Sequence, residues 1–253
     1  MITLKSPTEV AKMRRAARVV AEVLESMRKW VKPGVTTGEL DSLAETLIHE
    51  RNAIPSFKGY PPGSENPFPS SICASVNEEL VHGIPGPRVL HEGDIISIDV
   101  GAILDDYHGD AAVTIPVGQI SPDAQRLLEV TEGALYAGIA AARVGNRSGD
   151  ISAAIQAYVE GRGYNVVREY TGHGIGRQMH EDPQIPNYGQ PGRGVRLRKG
   201  MTVALEPMVL AGDSSVKVMD DHWTVASRDG ELTAHFEHSI AVTDGDAEIL
   251  TRM

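Results

Sequence analysis

Cysteine is almost missing from this chain: its 253 residues include only Cys73, so no disulfide can close within it. That suits a reducing compartment, and a cytoplasmic location is the expectation. Long apolar runs are missing as well. No stretch approaches the ~18 consecutive apolar residues of a membrane-spanning helix, and the opening MITLKSPTEV lacks a basic-then-apolar export pattern. Positive charge is in deficit, with 24 Lys and Arg against 34 Asp and Glu, a net charge of −10. A nucleic-acid surface needs a basic patch, so this balance argues against one. The one basic run, Arg193 to Lys199, reads as a solvated loop. No membrane or nucleic-acid partner is expected, and monomer is the default.

What is present is enough to fold. With 41% hydrophobic residues the chain can bury a full core. Ser6-Pro7-Thr8-Glu9 opens a helical pattern, Ser6 as N-cap and Pro7 in the first turn, running from Val10 to about Trp30. Ser121-Pro122-Asp123-Ala124 repeats the signal 115 residues later. Turns at Lys32–Leu40 and Arg143–Ile151 launch second helices over Leu40–Arg51 and Ile151–Gly161. Gly93 and Gly200 each stand six residues before an acid, Asp99 and Glu206. Three matched features in one order argue for two related halves, about 5–119 and 120–247, within one domain spanning 1–253. Coincidence among common cap and strand signals is the alternative.

Four carboxylates and one imidazole stand out on strand-like segments. Asp99 lies between Ile98 and Val100, Glu206 between Leu205 and Pro207, and Glu237 between Phe236 and His238. A charge in such a setting costs several kcal/mol unless neutralised. Two divalent cations would balance Asp99, Asp110, Glu206 and Glu237. A hairpin centred near Leu104-Asp105 would set Asp99 directly opposite Asp110, where two like charges repel unless a metal lies between them. Ser227-Arg228-Asp229-Gly230 reads as a hairpin turn between strands near Trp223–Ala226 and Leu232–Val242. Whether Glu206 faces Glu237 is open at this level.

The most specific motif is Gly172-His173-Gly174-Ile175-Gly176-Arg177-Gln178-Met179-His180. Glycines beside a histidine would let backbone approach an ion or substrate. The second histidine is too far along for a helical ligand pair, so the two divide their work, one as ligand and one as donor to a substrate.

Together with Asn77–Pro85 (NEELVHGIP), Ile98-Asp99-Val100, His108-Gly109-Asp110, Glu206-Pro207-Met208 and Glu237-His238, these residues resemble type I methionine aminopeptidases. The resemblance runs the length of the chain. It implies a pita-bread fold of the mixed α/β (α+β) class: two pseudo-symmetric halves with helices packed on a curved, mainly antiparallel sheet. It implies that Asp99, Asp110, His173, Glu206 and Glu237 ligate two divalent ions, cobalt, manganese, iron or zinc. Asp110 and Glu237 would bridge the pair, Asp99 completing one site and His173 with Glu206 the other. A water made acidic between the cations would attack, Glu206 would be general base, and His82 and His180 would contact the substrate. The implied substrates are N-termini of nascent polypeptides that lose their initiator methionine, preferring a small second residue. Transient contact with the ribosome is left open.

The chain departs from the family at the methionine pocket. The segment Pro61–Pro67 makes the loop after Tyr60 about five residues longer than the family pattern, and Phe68 stands where a tyrosine is usual. Tyr60, Phe68, Cys73 and Trp223 are the expected apolar wall, although Trp223 also reads as plain core. His82 alone could be a turn residue. His108 and His235 share strand faces with Asp110 and Glu237 but are left out, edge histidines being commoner. Glu181 and Asp182 read as solvating their loop, and His49, His91 and His222 as surface.

The 31 residues between Glu206 and Glu237 leave no room for the helical insertion of type II enzymes. The short lead into the first helix leaves no docking extension, nor the extra domain of prolidase or Xaa-Pro aminopeptidase. A non-catalytic binding relative would be expected to have lost ligands that this chain keeps.

Overall fold

A computed structural model describes residues 2–252; Met1 and Met253, inside the expected domain span, lie outside the described residues. The chain opens with α1 (Pro7–Trp30) and α2 (Thr37–Glu50). Five strands follow: β1 (Ile54–Pro55), β2 (Ile72–Val76), β3 (Glu79–Val81), β4 (Ile95–Leu104) and β5 (Tyr107–Pro116). Next come α3 (Pro122–Ala141) and α4 (Ser148–Glu160). The remainder holds β6 (Asn165–Val166), β7 (Thr171–Gly174), β8 (Glu181–Pro186), β9 (Thr202–Leu205) and β10 (Met208–Leu210). It ends with β11 (Val216–Val218), β12 (Val225–Ser227), β13 (Thr233–His235), β14 (His238–Ala241) and β15 (Glu248–Ile249). All paired strands are antiparallel, as expected, and the four helices make this a mixed α+β fold.

The helix starts follow from local chemistry. Ser6 caps α1 in a capping box, its hydroxyl accepting the Glu9 amide while Glu9 returns to the Ser6 amide. Thr36 and Glu39 do the same for α2, which therefore begins at Thr37 rather than at Leu40. The α4 helix likewise starts three residues early, at Ser148, because Asp150 reaches back to the Arg147 amide. The inner face of α1 lies on the β4–β5 hairpin. Gly109 permits that approach: a Cβ there would stand 2.6 Å from the Ala17 backbone.

The hairpin register differs from expectation by two residues. Asp105 and Asp106 form the two-residue turn, both with positive φ (53° and 66°), so Asp99 pairs with Ala112 and Asp110 with Gly101. The two aspartates are diagonal neighbours on one face, not direct opposites.

The Ser227–Gly230 turn makes no hairpin either. The β12 strand pairs with β11 and β3, whereas β13 pairs with β10. Asp229 instead ties its loop to the one before β11, accepting the amides of Asp213 and Glu231.

The open question about Glu206 is resolved by register. Leu205 pairs with His238 and Met208 with His235, so the same ladder continues through the kink and sets Glu206 opposite Glu237. The Phe236 amide bonds the Pro207 carbonyl at the kink itself.

Candidate metal centre

Strands from distant parts of the sequence deliver the five expected residues to one place. Asp99 and Asp110 come from β4 and β5, His173 from β7, Glu206 from the end of β9, and Glu237 from the link between β13 and β14. The Asp99 and Asp110 carboxyls lie close enough for each to shift the other's protonation. His173 Nε2 lies 3.5 Å from Glu206 and 3.9 Å from Asp110. Ligand atoms of Asp110, His173 and Glu237 all fall within 4.8 Å of one another.

The same is true of Glu206, His235 and Glu237, and this corrects the reading of His235. The residue is buried, with Nε2 3.7 Å from Glu206 and 3.9 Å from Glu237. Its position two residues before Glu237, on the same strand face, was the available signal. His108 is buried too, but it bonds Ser56 and lines a neighbouring groove. His49, His91 and His222 are exposed as expected.

The electrostatics are those of a cation site. Burial pushes the Asp99 carboxyl up to about 7. Asp110, Glu206 and Glu237 stand well above the ordinary carboxylate range, first from burial and then from one another's charge. Burial holds His173 and His235 down to about 3, so both rings are neutral near pH 7. His173 Nδ1–H donates to the Gly174 carbonyl (2.9 Å), which leaves the Nε2 lone pair free. Asp99 Oδ1, Asp110 Oδ1, Glu237 Oε1 and His235 Nε2 are buried without a hydrogen-bond partner. Hard oxygen donors and imidazole nitrogen left this way fit divalent transition-metal ions.

The glycines around His173 serve another purpose than the one expected. A Cβ at Gly172 would stand 2.5 Å from the Ala204 carbonyl, and one at Gly174 would run into the Asp182 backbone. They admit neighbouring strands, not a ligand.

A cavity of about 220 Å³ ends on this cluster. Its walls include the four expected residues, Tyr60, Phe68, Cys73 and Trp223, together with Phe57 and Met179, which sequence reasoning missed. Cys73 pairs across β2 and β4 with Asp99, which ties the apolar wall to the carboxylates. Phe68 is buried and meets Trp223 edge-on at 5.2 Å. The Pro61–Pro67 loop is exposed throughout.

His82 and His180 both line the cavity. His82 holds a left-handed backbone conformation (φ 60°), uncommon for a residue with a side chain, and such strain concentrates at functional sites. The next residue must be glycine-like, since a Cβ at Gly83 would collide with the Ala74 carbonyl. The His180 ring packs 4.4 Å from that of His173, and its Nδ1 bonds the Tyr60 hydroxyl at 2.6 Å. Burial lowers His82 to about 4 and lowers His180 as well. Glu181 does not merely solvate its loop: it forms an ion pair with Lys5. Among the described residues no helix is long and apolar enough to cross a membrane.

Comparison with known proteins gives the same picture. The model of metallopeptidase family M24 matches residues 11–244. Methionine aminopeptidase 1 of Bacillus subtilis is 57% identical over 253 residues, covering all of both chains. Methionine aminopeptidase of Clostridium acetobutylicum is 54% identical over 99% of each. The crystal structure of methionine aminopeptidase from Thermotoga maritima superposes with a TM-score of 0.96 at 47% identity, covering both chains fully. Xaa-Pro dipeptidase from Bacillus anthracis shares the fold, with a TM-score of 0.79 at 23% identity; 99% of this chain covers 62% of that one. With sequence and fold in agreement along its length, the chain belongs to metallopeptidase family M24 and, within it, to the methionine aminopeptidases.

Proposed function

We infer that this protein removes the initiator methionine from nascent proteins and peptides by hydrolysis of their first peptide bond, with two divalent metal ions as cofactor. The observation that carries the reading is the apolar cavity of about 220 Å³ ending on the carboxylate–histidine cluster. It has the size for one unbranched side chain, with the reacting bond held at its polar end.

Asp110 and Glu237 would bridge the two ions, Asp99 would complete one site, and His173 with Glu206 the other. Cobalt, manganese, iron and zinc all suit this donor set. When bound, the cations supply Lewis acidity at the scissile carbonyl. Glu206 takes a proton from the attacking water and returns it to the leaving amine. His82 and His180, neutral near pH 7, donate to the carbonyl oxygen as negative charge grows on it. In the tautomer where Tyr60 donates to His180 Nδ1, the His180 proton sits on Nε2 and is free to be given. Phe57, Phe68, Cys73, Met179 and Trp223 receive the methionine side chain, with Tyr60 at the rim.

The protein acts as one catalytic domain whose halves, about 5–119 and 120–247, each contribute a helix pair and part of the centre. It works as a cytoplasmic monomer, prefers a small second residue, and meets the ribosome at most transiently. An Xaa-Pro peptidase is not favoured, because the likeness to the Bacillus anthracis dipeptidase is one of fold.

Asp110→Asn tests the assignment. It removes the charge of a bridging ligand while keeping its shape, so activity should vanish and metal occupancy should weaken. Full activity in this variant would overturn the bridging role.

A further inference from the structure

We propose that Lys5, through its ion pair with Glu181, is a positioning residue for His180. The proposal rests on the reading of His180 as a substrate contact.

The pair is enclosed, with side-chain exposures of 4% for Lys5 and 13% for Glu181. An ammonium at that depth is strongly disfavoured without its carboxylate, so each partner fixes the other's place. Lys5 is itself anchored. Its amide donates to the Gly200 carbonyl at 2.7 Å, and Gly200, at φ +84°, allows an approach where a Cβ would stand 2.6 Å from the Lys5 carbonyl. The next residue, Ser6, is the cap of α1, and α1 lies on the hairpin that carries Asp99 and Asp110.

Glu181 directly follows His180 and also accepts the Gln178 amide at 3.2 Å. The Gly176 amide in turn donates to the Gln178 carbonyl at 3.1 Å. The pair sits against Gly176, where a Cβ would stand 2.5 Å from both Lys5 Cε and Glu181 Oε1. The loop from Gly176 to Glu181 is thus closed on itself and clamped by a residue from the start of the chain. On the ring side, among the described residues, Tyr60 alone holds His180 by a hydrogen bond.

Lys5 and Glu181 line a cleft of about 720 Å³ that meets His173 and His180, and neither lines the cavity proposed for methionine. The route proposed for their influence on the reaction is the chain link from Glu181 to His180. A donor aimed at a developing charge is sensitive to displacement, and a shift near 1 Å can cost about 100-fold in rate.

The test is a double-mutant cycle with Met-Ala-Ser as substrate and metal content matched between variants. Lys5→Met should lower kcat by about 10- to 100-fold with KM within about twofold, because an interaction made only in the transition state is weakened. Glu181→Gln should do the same, and it carries the expectation if Lys5→Met does not fold. Lys5→Arg, which keeps the cation, should restore most of the rate. In a His180→Ala background, Lys5→Met should change kcat less than about twofold. Equal losses in both backgrounds, or a wild-type kcat in Lys5→Met and Glu181→Gln while His180→Ala is impaired, would overturn the proposal alone. Wild-type activity in His180→Ala would overturn the reading of His180 and the proposal with it.

Discussion

Ala112 and Glu237, far apart in sequence, exchange both of their backbone hydrogen bonds: the Glu237 amide donates to Ala112 at 2.9 Å and the Ala112 amide to Glu237 at 3.4 Å. This exchange joins β5 to the link between β13 and β14, and so fixes the distance between the aspartate hairpin and Glu237. One step along, the Ser239 hydroxyl stands in for a backbone partner of Asp110, accepting its amide at 3.1 Å and donating to its carbonyl at 2.7 Å. One step the other way, the Thr114 hydroxyl does the same for His235, at 2.9 Å in each direction. Three acid- or histidine-bearing segments are held by a single seam.

Ser239→Ala removes that stand-in from a fully buried position. It leaves two backbone groups of Asp110 short of a partner, and stability should fall by about 1–3 kcal/mol. Urea unfolding of the metal-free protein measures this. Metal affinity should fall as well, by about tenfold or more, because Asp110 loses its support.

His235→Asn should weaken metal binding by about 10- to 100-fold, the range typical for partners that support metal ligands. The side chain lies within 4 Å of both Glu206 and Glu237. Calorimetric titration with a divalent metal gives the affinity, and circular dichroism should show an unchanged fold. Unaltered affinity would remove His235 from the centre.

Metal-free protein should lose stability as pH rises above 7. A carboxyl whose pKa is raised on folding keeps its proton longer in the folded state than in the unfolded one. Its contribution is therefore lost as pH climbs from about 4 through the folded value. That value is about 7 for Asp99, and burial and mutual charge likewise raise Asp110, Glu206 and Glu237 well above the ordinary carboxylate range. Histidines lowered by burial, such as His173 and His235, act oppositely, but their gain is complete near 6.5. Above 7 the carboxyl loss remains, and toward pH 9 the buried Cys73 thiol, also raised by burial, adds a loss of the same sign. The urea midpoint should be lower at pH 9 than at pH 7, and metal binding at pH 7 should release protons. Equal midpoints would contradict the assignment.

Cys73→Leu should narrow the cavity proposed for methionine beside Asp99. Crowding by a group larger than a methylene predicts a loss in kcat/KM for Met-Ala-Ser of about tenfold or more. Steady-state kinetics with matched metal content would show it, and an unchanged kcat/KM would place the thioether elsewhere.

Much of this was legible in the sequence, because the signals were local. The Ser6–Glu9 box and the Pro122 start act within four residues, and three of the five expected ligands, Asp99, Glu206 and Glu237, stand out as charges in apolar surroundings. The hairpin register turned on whether Asp105 and Asp106 both accept a left-handed conformation, which residue spacing does not reveal. The pairing of Glu206 with Glu237 runs between segments separated by β11, β12 and a loop, so the Ser227–Gly230 turn drew attention to the wrong partner. His235 was passed over because its burial depends on the seam with Thr114, a contact made only in the folded chain. Gly172 and Gly174 looked like room for a ligand when they are room for Ala204 and Asp182.

The most direct measurement is hydrolysis of Met-Ala-Ser and Gly-Pro-Ala by metal-stripped protein, re-loaded with cobalt, manganese, iron or zinc in turn. Release of methionine from the first peptide only after re-loading, with the second left intact, is the predicted result. Cleavage of the Gly-Pro bond, or no cleavage of either peptide by protein shown to have bound its metal, would contradict the account.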